Sequence, residues 1–99
     1  MDIPNPEIGI ITVYSKSGCS GCIKVKKLLK DKNVNFVIVN CDAYLLGDKA
    51  SLLQFINKIS GHECKTFPMV FDHQTFIGGF EETVDYLDKL LEFEFDLVF

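Results

Sequence analysis

Apolar and polar positions along the chain change period several times, and each change marks an element. Ile10-Ile11-Thr12-Val13-Tyr14 is a β-branched and aromatic run, which predicts a strand over residues 10–14. Val25, Leu28 and Leu29 then recur at the i, i+3, i+4 spacing of a buried stripe, which predicts a helix over 20–31. Asp31-Lys32-Asn33 is a stop, with Asn33 able to take a left-handed conformation. Residues 35–40, Asn-Phe-Val-Ile-Val-Asn, predict a second strand, apolar enough in its middle to be covered on both faces. Gly47-Asp48 punctuates. Leu52, Leu53, Ile56 and Ile59 follow at helical spacing, with Gly61 where a C-cap glycine belongs. Pro68-Met69-Val70-Phe71 and Thr75-Phe76-Ile77 predict two short strands around a tight Asp72-His73-Gln74 turn. After Gly78-Gly79, the residues Val84, Leu87, Leu90 and Leu91 mark a last helix. The tail 93–99 alternates Phe with acids, a pattern that fits both a continued helix and an extended segment packing its Phe side chains.

The order is strand, helix, strand, helix, strand, strand, helix. A strand–helix–strand start implies a right-handed parallel crossover, and the later hairpin adds an antiparallel strand. The expected class is therefore α/β, a four-stranded mixed sheet with helices on both faces. Ninety-nine residues make one domain, 1–99, and 47% hydrophobic residues supply its core. No run approaches the ~18 apolar residues of a membrane span. The start, Met1 to Glu7, lacks the basic and apolar parts of a signal peptide, so a cytoplasmic, reducing compartment is expected. A net charge of −4 argues against general nucleic-acid binding. The charge is uneven, however. Lys16, Lys24, Lys26, Lys27, Lys30 and Lys32 crowd one stretch, while Glu81, Glu82, Asp85, Asp88, Glu92, Glu94 and Asp96 crowd the C-terminal part. Most of these are solvated helix faces; those nearest a reactive group would also set a local field.

That reactive group is Cys19-Ser20-Gly21-Cys22, placed where the first strand hands over to the first helix. Two thiols at this spacing can close a small disulfide ring. At a helix start, unpaired N–H groups and the helix dipole favour thiolate. Cys19 would sit at the most electropositive and exposed place, and Cys22, one step further in, would be more buried. The competing reading, half of a zinc site, has no second Cys-x-x-Cys to complete it, and His62 with Cys64 is a poor partner set. Cys41 and Cys64 stand alone and read as small packing residues, Cys64 with the alternative of a regulatory thiol near the site. His62 and His73 read as surface loop residues, and Phe36, Phe55, Phe71 and Phe76 as core.

Three motifs together carry a resemblance over nearly the whole chain. Lys16-Ser17-Gly18-Cys19-Ser20-Gly21-Cys22 resembles the Lys-x-x-Cys-x-x-Cys site of dithiol glutaredoxins, Thr66-Phe67-Pro68 their Thr-x-Pro turn, and Ile77-Gly78-Gly79-Phe80-Glu81-Glu82 their Gly-Gly-x-acidic signature. The resemblance implies a thioredoxin-like fold and an enzyme that uses glutathione as co-substrate to reduce protein disulfides and glutathione mixed disulfides. It implies Cys19 as nucleophile and Cys22 as resolving thiol. It implies a glutathione groove built from Lys16, Thr66, Phe67, a cis Pro68, Gly78, Gly79, Phe80 and one of Glu81 and Glu82. In that groove Lys16 would hold the glycyl carboxylate, the backbone of Phe67 would pair with the tripeptide, the N–H groups after Gly78-Gly79 would receive the γ-glutamyl carboxylate, and an acid would bind the ammonium. First-turn acids that serve the helix dipole are the alternative for either glutamate.

The chain departs from the family pattern in two places. Ser20-Gly21 replaces the frequent Pro-Tyr, and Ser17-Gly18 replaces bulkier residues, which opens the approach to Cys19. No metal is expected, but family members without that proline can assemble a [2Fe–2S] cluster between two subunits with glutathione as co-ligand, so a cluster-binding dimer is the alternative function. The stretches 66–71 and 77–80 look closest to small viral and phage glutaredoxins. That likeness implies ribonucleotide reductase among its disulfide-containing protein partners; a monomer is expected.

Overall fold

The computed structural model describes residues 2–98, with side chains as far as Leu90. Seven elements follow in order: β1 (Ile11–Ser15), α1 (Ser20–Asp31), β2 (Phe36–Asn40), α2 (Asp42–Ser60), β3 (Met69–Asp72), β4 (Thr75–Gly78) and α3 (Phe80–Val98). The sheet order is β2-β1-β3-β4. β2 runs parallel to β1, while β3 is antiparallel to both β1 and β4. This is the expected mixed sheet.

Strand alternation divides the core into two clusters, one on each face of the sheet. Tyr14, Met69 and Phe71 point to the side covered by α2, where they meet Leu52 and Ile56. Ile11, Val13 and Val70 point the other way, onto Val25 and Leu29 of α1 and Leu87 of α3. Tyr14 is fully buried, and its ring lies edge-on to Phe71 with centroids 5.5 Å apart. Its hydroxyl would be costly without a partner; it donates to the carbonyl of Pro4 at 2.5 Å. The expected core phenylalanines are in place, with Phe71 fully buried and Phe36, Phe55 and Phe76 packed against the two clusters.

Local signals explain most boundaries. Asn33 has φ 56° just after α1, and Gly61 closes α2 in the left-handed region at φ 74°. Gly47-Asp48 punctuates a longer element than its pattern suggests. α2 begins at Asp42 and kinks at Asp48 (φ −148°, ψ 80°), whose carboxylate then accepts from the Ser51 N–H at 3.1 Å and caps the second half.

Two expectations need correction. β2 is not covered on both faces: it is an edge strand, and Ile38 is 40% exposed. Its apolar run reflects β propensity more than burial. Cys19 is only 9% exposed in the disulfide form seen here, less open than a helix start suggests, although Cys22 is more deeply buried still. The backbone of α3 continues to Val98, whereas Leu91 and the tail phenylalanines carry side chains outside the described residues.

Candidate active site

The site lies at the C-terminal ends of the parallel pair β1 and β2, where two strand-to-helix connections meet. Lys16-Ser17-Gly18 leaves β1, and Gly18 at φ 70° turns the chain so that Cys19 becomes the N-cap of α1. Cys19 has the extended backbone that suits an N-cap (φ −109°, ψ 107°), and its Sγ accepts from the N–H of Cys22 at 3.1 Å. The sulfur thus receives one of the helix's unpaired donors, an arrangement that stabilises negative charge on it when the disulfide opens. Cys19 and Cys22 form a disulfide with Cα atoms 5.2 Å apart; Cys41 and Cys64 are buried and free.

Neighbouring segments frame the dithiol. The Phe67–Pro68 peptide is cis, as expected. Gly21 packs against this turn so closely that a Cβ placed on it would lie 3.0 Å from Pro68 Cδ. A lysine stands over an aromatic ring on each side: Lys16 Nζ is 5.8 Å from the Phe67 centroid and Lys24 Nζ is 5.9 Å from that of Phe80. Two grooves run along the dithiol edge. One, about 370 Å³, is lined by Lys16, Gly18, Cys19, Lys49, Lys65 and Phe67 among others. The other, about 290 Å³, brings Thr66, Phe67 and Pro68 together with Gly79, Phe80, Glu81 and Glu82. Nine of the eleven expected site residues line one groove or the other; Cys22 lies beneath them, and Gly78 lines an adjoining hollow of about 400 Å³ with Gly79, Glu82 and Cys64.

The two glutamates have different positions. Glu82 Oε1 accepts from the Gly79 N–H at 2.8 Å, the glutamate half of a capping box at the start of α3. Gly78 (φ 137°) is required beneath it, since a Cβ there would lie 2.7 Å from Glu82 Cβ and Cγ. Glu81, also exposed, makes no such bond to the cap.

Sequence reasoning missed Asp42. Its Oδ1 accepts from the Ser17 N–H at 2.8 Å and its Oδ2 from the Ser17 hydroxyl at 2.5 Å, so the first residue of α2 clamps the loop that carries Lys16 and Cys19. The two Ser17 bonds hold the Asp42 carboxyl below the usual carboxylate range. The available signal was its position at the end of the second parallel strand, beside the end of the first. Leu45, Lys49 and Leu53 of α2 were missed as well, because nothing local joins α2 to the dithiol, and so was Lys65, whose place next to Thr66 was the available signal. Among the described residues no three His, Cys, Asp or Glu side chains are grouped to hold a metal ion.

A Cys-x-x-Cys disulfide at a helix N-terminus, beside a cis-proline turn on a four-stranded mixed sheet, defines a thioredoxin-like dithiol protein. The sequence model of the Glutaredoxin family matches residues 11–77, and the chain belongs to that family. It is 36% identical over 73 residues to the mitochondrial glutaredoxin-2 of Homo sapiens, covering 74% of this chain and 42% of that protein. It is also 36% identical over 87 residues to glutaredoxin 1 of Rickettsia conorii, covering 83% of this chain and 80% of the other. The chain thus spans less than half the length of the mitochondrial relative it matches. The crystal structure of glutaredoxin 1 from Francisella tularensis, in complex with cacodylate, superposes with a TM-score of 0.72 at 25% identity, over 83% of this chain and 95% of that one.

Proposed function

We propose that the protein is a glutathione-dependent thiol–disulfide oxidoreductase acting on glutathione mixed disulfides and protein disulfides. The observation that carries this reading is the Cys22 N–H directed at Cys19 Sγ, at the meeting point of two grooves with opposite chemistry. In the reduced enzyme, Cys19 thiolate attacks the glutathione sulfur of a mixed disulfide. The Cys19–glutathione bond forms as the substrate's bond breaks, and the substrate leaves as thiolate and takes a proton. A second glutathione thiolate then attacks the adduct, releasing oxidised glutathione and restoring Cys19. On a protein disulfide, or when Cys22 attacks the adduct first, the product is the Cys19–Cys22 disulfide, which two glutathione molecules reduce in succession. Lys16 attracts the glycyl carboxylate, the Phe67 backbone beside Pro68 pairs with the tripeptide, and the N–H groups following Gly78-Gly79 receive the γ-glutamyl carboxylate. Glu82 is engaged in its own cap, so Glu81 is the acid assigned to the ligand's ammonium.

The reading extends to a monomer in the cytoplasm, with ribonucleotide reductase among the disulfides it serves. A coupled assay with glutathione, glutathione reductase and a small glutathionylated substrate tests it. Turnover by the wild type that disappears in Cys19→Ser and largely survives in Cys22→Ser supports the glutathione route. Equal loss in both variants replaces it with a thioredoxin-style dithiol mechanism. Visible absorption after anaerobic reconstitution with iron, sulfide and glutathione would reassign the site to a [2Fe–2S] dimer.

A further inference from the structure

β2 lies at a margin of the sheet without the features that keep such margins unpaired. Edge strands are ordinarily blunted by charge, proline, irregular register or short length. β4, at the opposite margin, has four residues and a register shift against β3. β2 has five residues, Phe-Val-Ile-Val-Asn, with no charge and no proline, and its register with β1 is unbroken from Phe36 to Asn40. One bond fixes which way its backbone groups turn. The Cys41 N–H donates to the Ser15 carbonyl at 2.8 Å, so by the two-residue alternation of a strand Val37 and Val39 also direct their N–H and C=O toward β1. Phe36, Ile38 and Asn40 direct theirs outward, and among the described residues the sheet ends there. The Ile38 side chain is itself exposed on this edge.

Helix α1 borders the edge with positive charge. Lys30 lines a hollow of about 420 Å³ with Asn33, Val34, Asn35 and Phe36 at the start of β2, and no acidic side chain lines it. At the far end of the strand Lys26 is near enough to favour the Asp42 carboxylate, which Ser17 already engages.

We infer that β2 accepts one further strand: an extended segment of a partner protein, apolar in its middle and acidic toward its ends. Its backbone bonds to Phe36, Ile38 and Asn40, its apolar side chains cover Ile38 and the neighbouring valines, and its acids meet Lys26 and Lys30. This surface goes beyond the thiol chemistry, since it uses neither cysteine of the dithiol.

The test titrates isotope-labelled protein with the peptide Glu-Glu-Val-Thr-Val-Thr-Glu-Glu and with counterparts carrying Gln or Lys in place of Glu, read by amide shifts and hydrogen exchange. The Glu peptide should bind about tenfold more tightly than the Lys peptide at low ionic strength, a gap that narrows with salt. The net charge of −4 makes this demanding, because unspecific attraction would favour the Lys peptide. Bound peptide should slow exchange of the Phe36, Ile38 and Asn40 amides severalfold and leave Val37 and Val39 unchanged. Ile38→Lys should abolish binding while keeping wild-type turnover of a small glutathionylated substrate, and Lys26→Glu/Lys30→Glu should reverse the ranking of the peptides. Equal binding of all three peptides, shifts confined to the dithiol grooves, or undiminished binding by Ile38→Lys would each overturn the inference. Concentration-dependent protection of the same three amides without peptide would assign the edge to a second copy of the chain and overturn it as well.

Discussion

Two cysteines occupy the same formal position in this fold, and only one is built to react. Cys19 and Cys41 are the N-cap residues of α1 and α2, each following a strand of the parallel pair. A helix N-terminus is often treated as sufficient to activate a thiol. Here the difference lies in the connection. Residues 16–19 separate β1 from α1, and the left-handed Gly18 lets Cys19 take an extended conformation that aims its sulfur at the Cys22 N–H. β2 passes into α2 through Cys41 alone. The Cys41 N–H is bound to the Ser15 carbonyl at 2.8 Å, its backbone (φ −96°, ψ 2°) is not that of a capping residue, and its side chain caps nothing. The sulfur instead faces the Val39 carbonyl at 3.6 Å with no exposure to solvent, and burial pushes the thiol up to about 11. At that terminus the residue that serves the site is the next one, Asp42, through its clamp on Ser17.

The sharpest way to break this contrast is by substitution. Cys19→Ser should reduce glutathione-dependent turnover to background, while Cys41→Ala changes kcat/KM by less than about twofold; comparable losses in the two would mean that position alone confers reactivity. Alkylation of the reduced protein with iodoacetamide, read by peptide mass, gives the next largest effect. Cys19 should label with a midpoint below the ~8.5 of a free thiol, and Cys41 in the folded protein at least ~100-fold more slowly at pH 7. Stability provides a third measure. The folded state holds the Cys41 proton from its ordinary 9.0 up to about 11. The contribution is therefore complete below pH 9 and is lost as pH rises toward 11, because the unfolded chain ionises first. Urea unfolding should show wild type losing stability relative to Cys41→Ala across that window, by on the order of 2 kcal/mol; parallel curves would contradict the burial argument.

Two smaller effects sharpen the comparison from the other side. Asp42→Ala should free Ser17 and lower kcat/KM by roughly three- to tenfold, with Asp42→Asn retaining most activity because its amide can still meet both Ser17 groups. The Asp42 carboxyl is held low, so the clamp persists above the ordinary carboxylate range and fails as pH falls through the depressed value. An Asp42→Ala variant with wild-type kinetics would make that contact ornamental. Lys16→Gln should raise the Cys19 alkylation midpoint by less than about one unit, since Lys16 is exposed and screened; a midpoint that stays put would leave the Cys22 N–H as the sole source of activation.

How much of this was legible beforehand differs by kind of signal. Periodicity located five of the seven elements to within one or two residues, because 3.6- and 2-residue repeats are written in adjacent side chains. The exceptions were α3, whose continuation past Leu91 the alternating tail left open, and α2, whose first segment, Asp42 to Gly47, has no clear stripe and is held by its link to the end of β2 and by Asp42's bonds to Ser17. Edge and centre of the sheet were not readable: β2 has the composition of an interior strand and lies at the margin. The site divided in the same way. Cys19, Cys22, Pro68, Gly78 and Gly79 stand out in the sequence because each has a chemical or backbone property that few other residues can supply.

By itself, then, the chain determined the kinds and order of its elements, the dithiol, the proline turn and the paired glycines, all matters of local covalent chemistry and short-range repeat. Only the tertiary structure decided which of two N-capping cysteines faces a free N–H, which of two adjacent glutamates closes its own helix, and that Asp42, Lys49 and Lys65 stand beside Cys19. The last of these depends on packing between segments far apart in the chain, where the sheet's parallel pairing and the α2 kink set the distances and no neighbouring residue records them; the first two turn on backbone conformation at Gly18 and Gly78, which side-chain periodicity does not write.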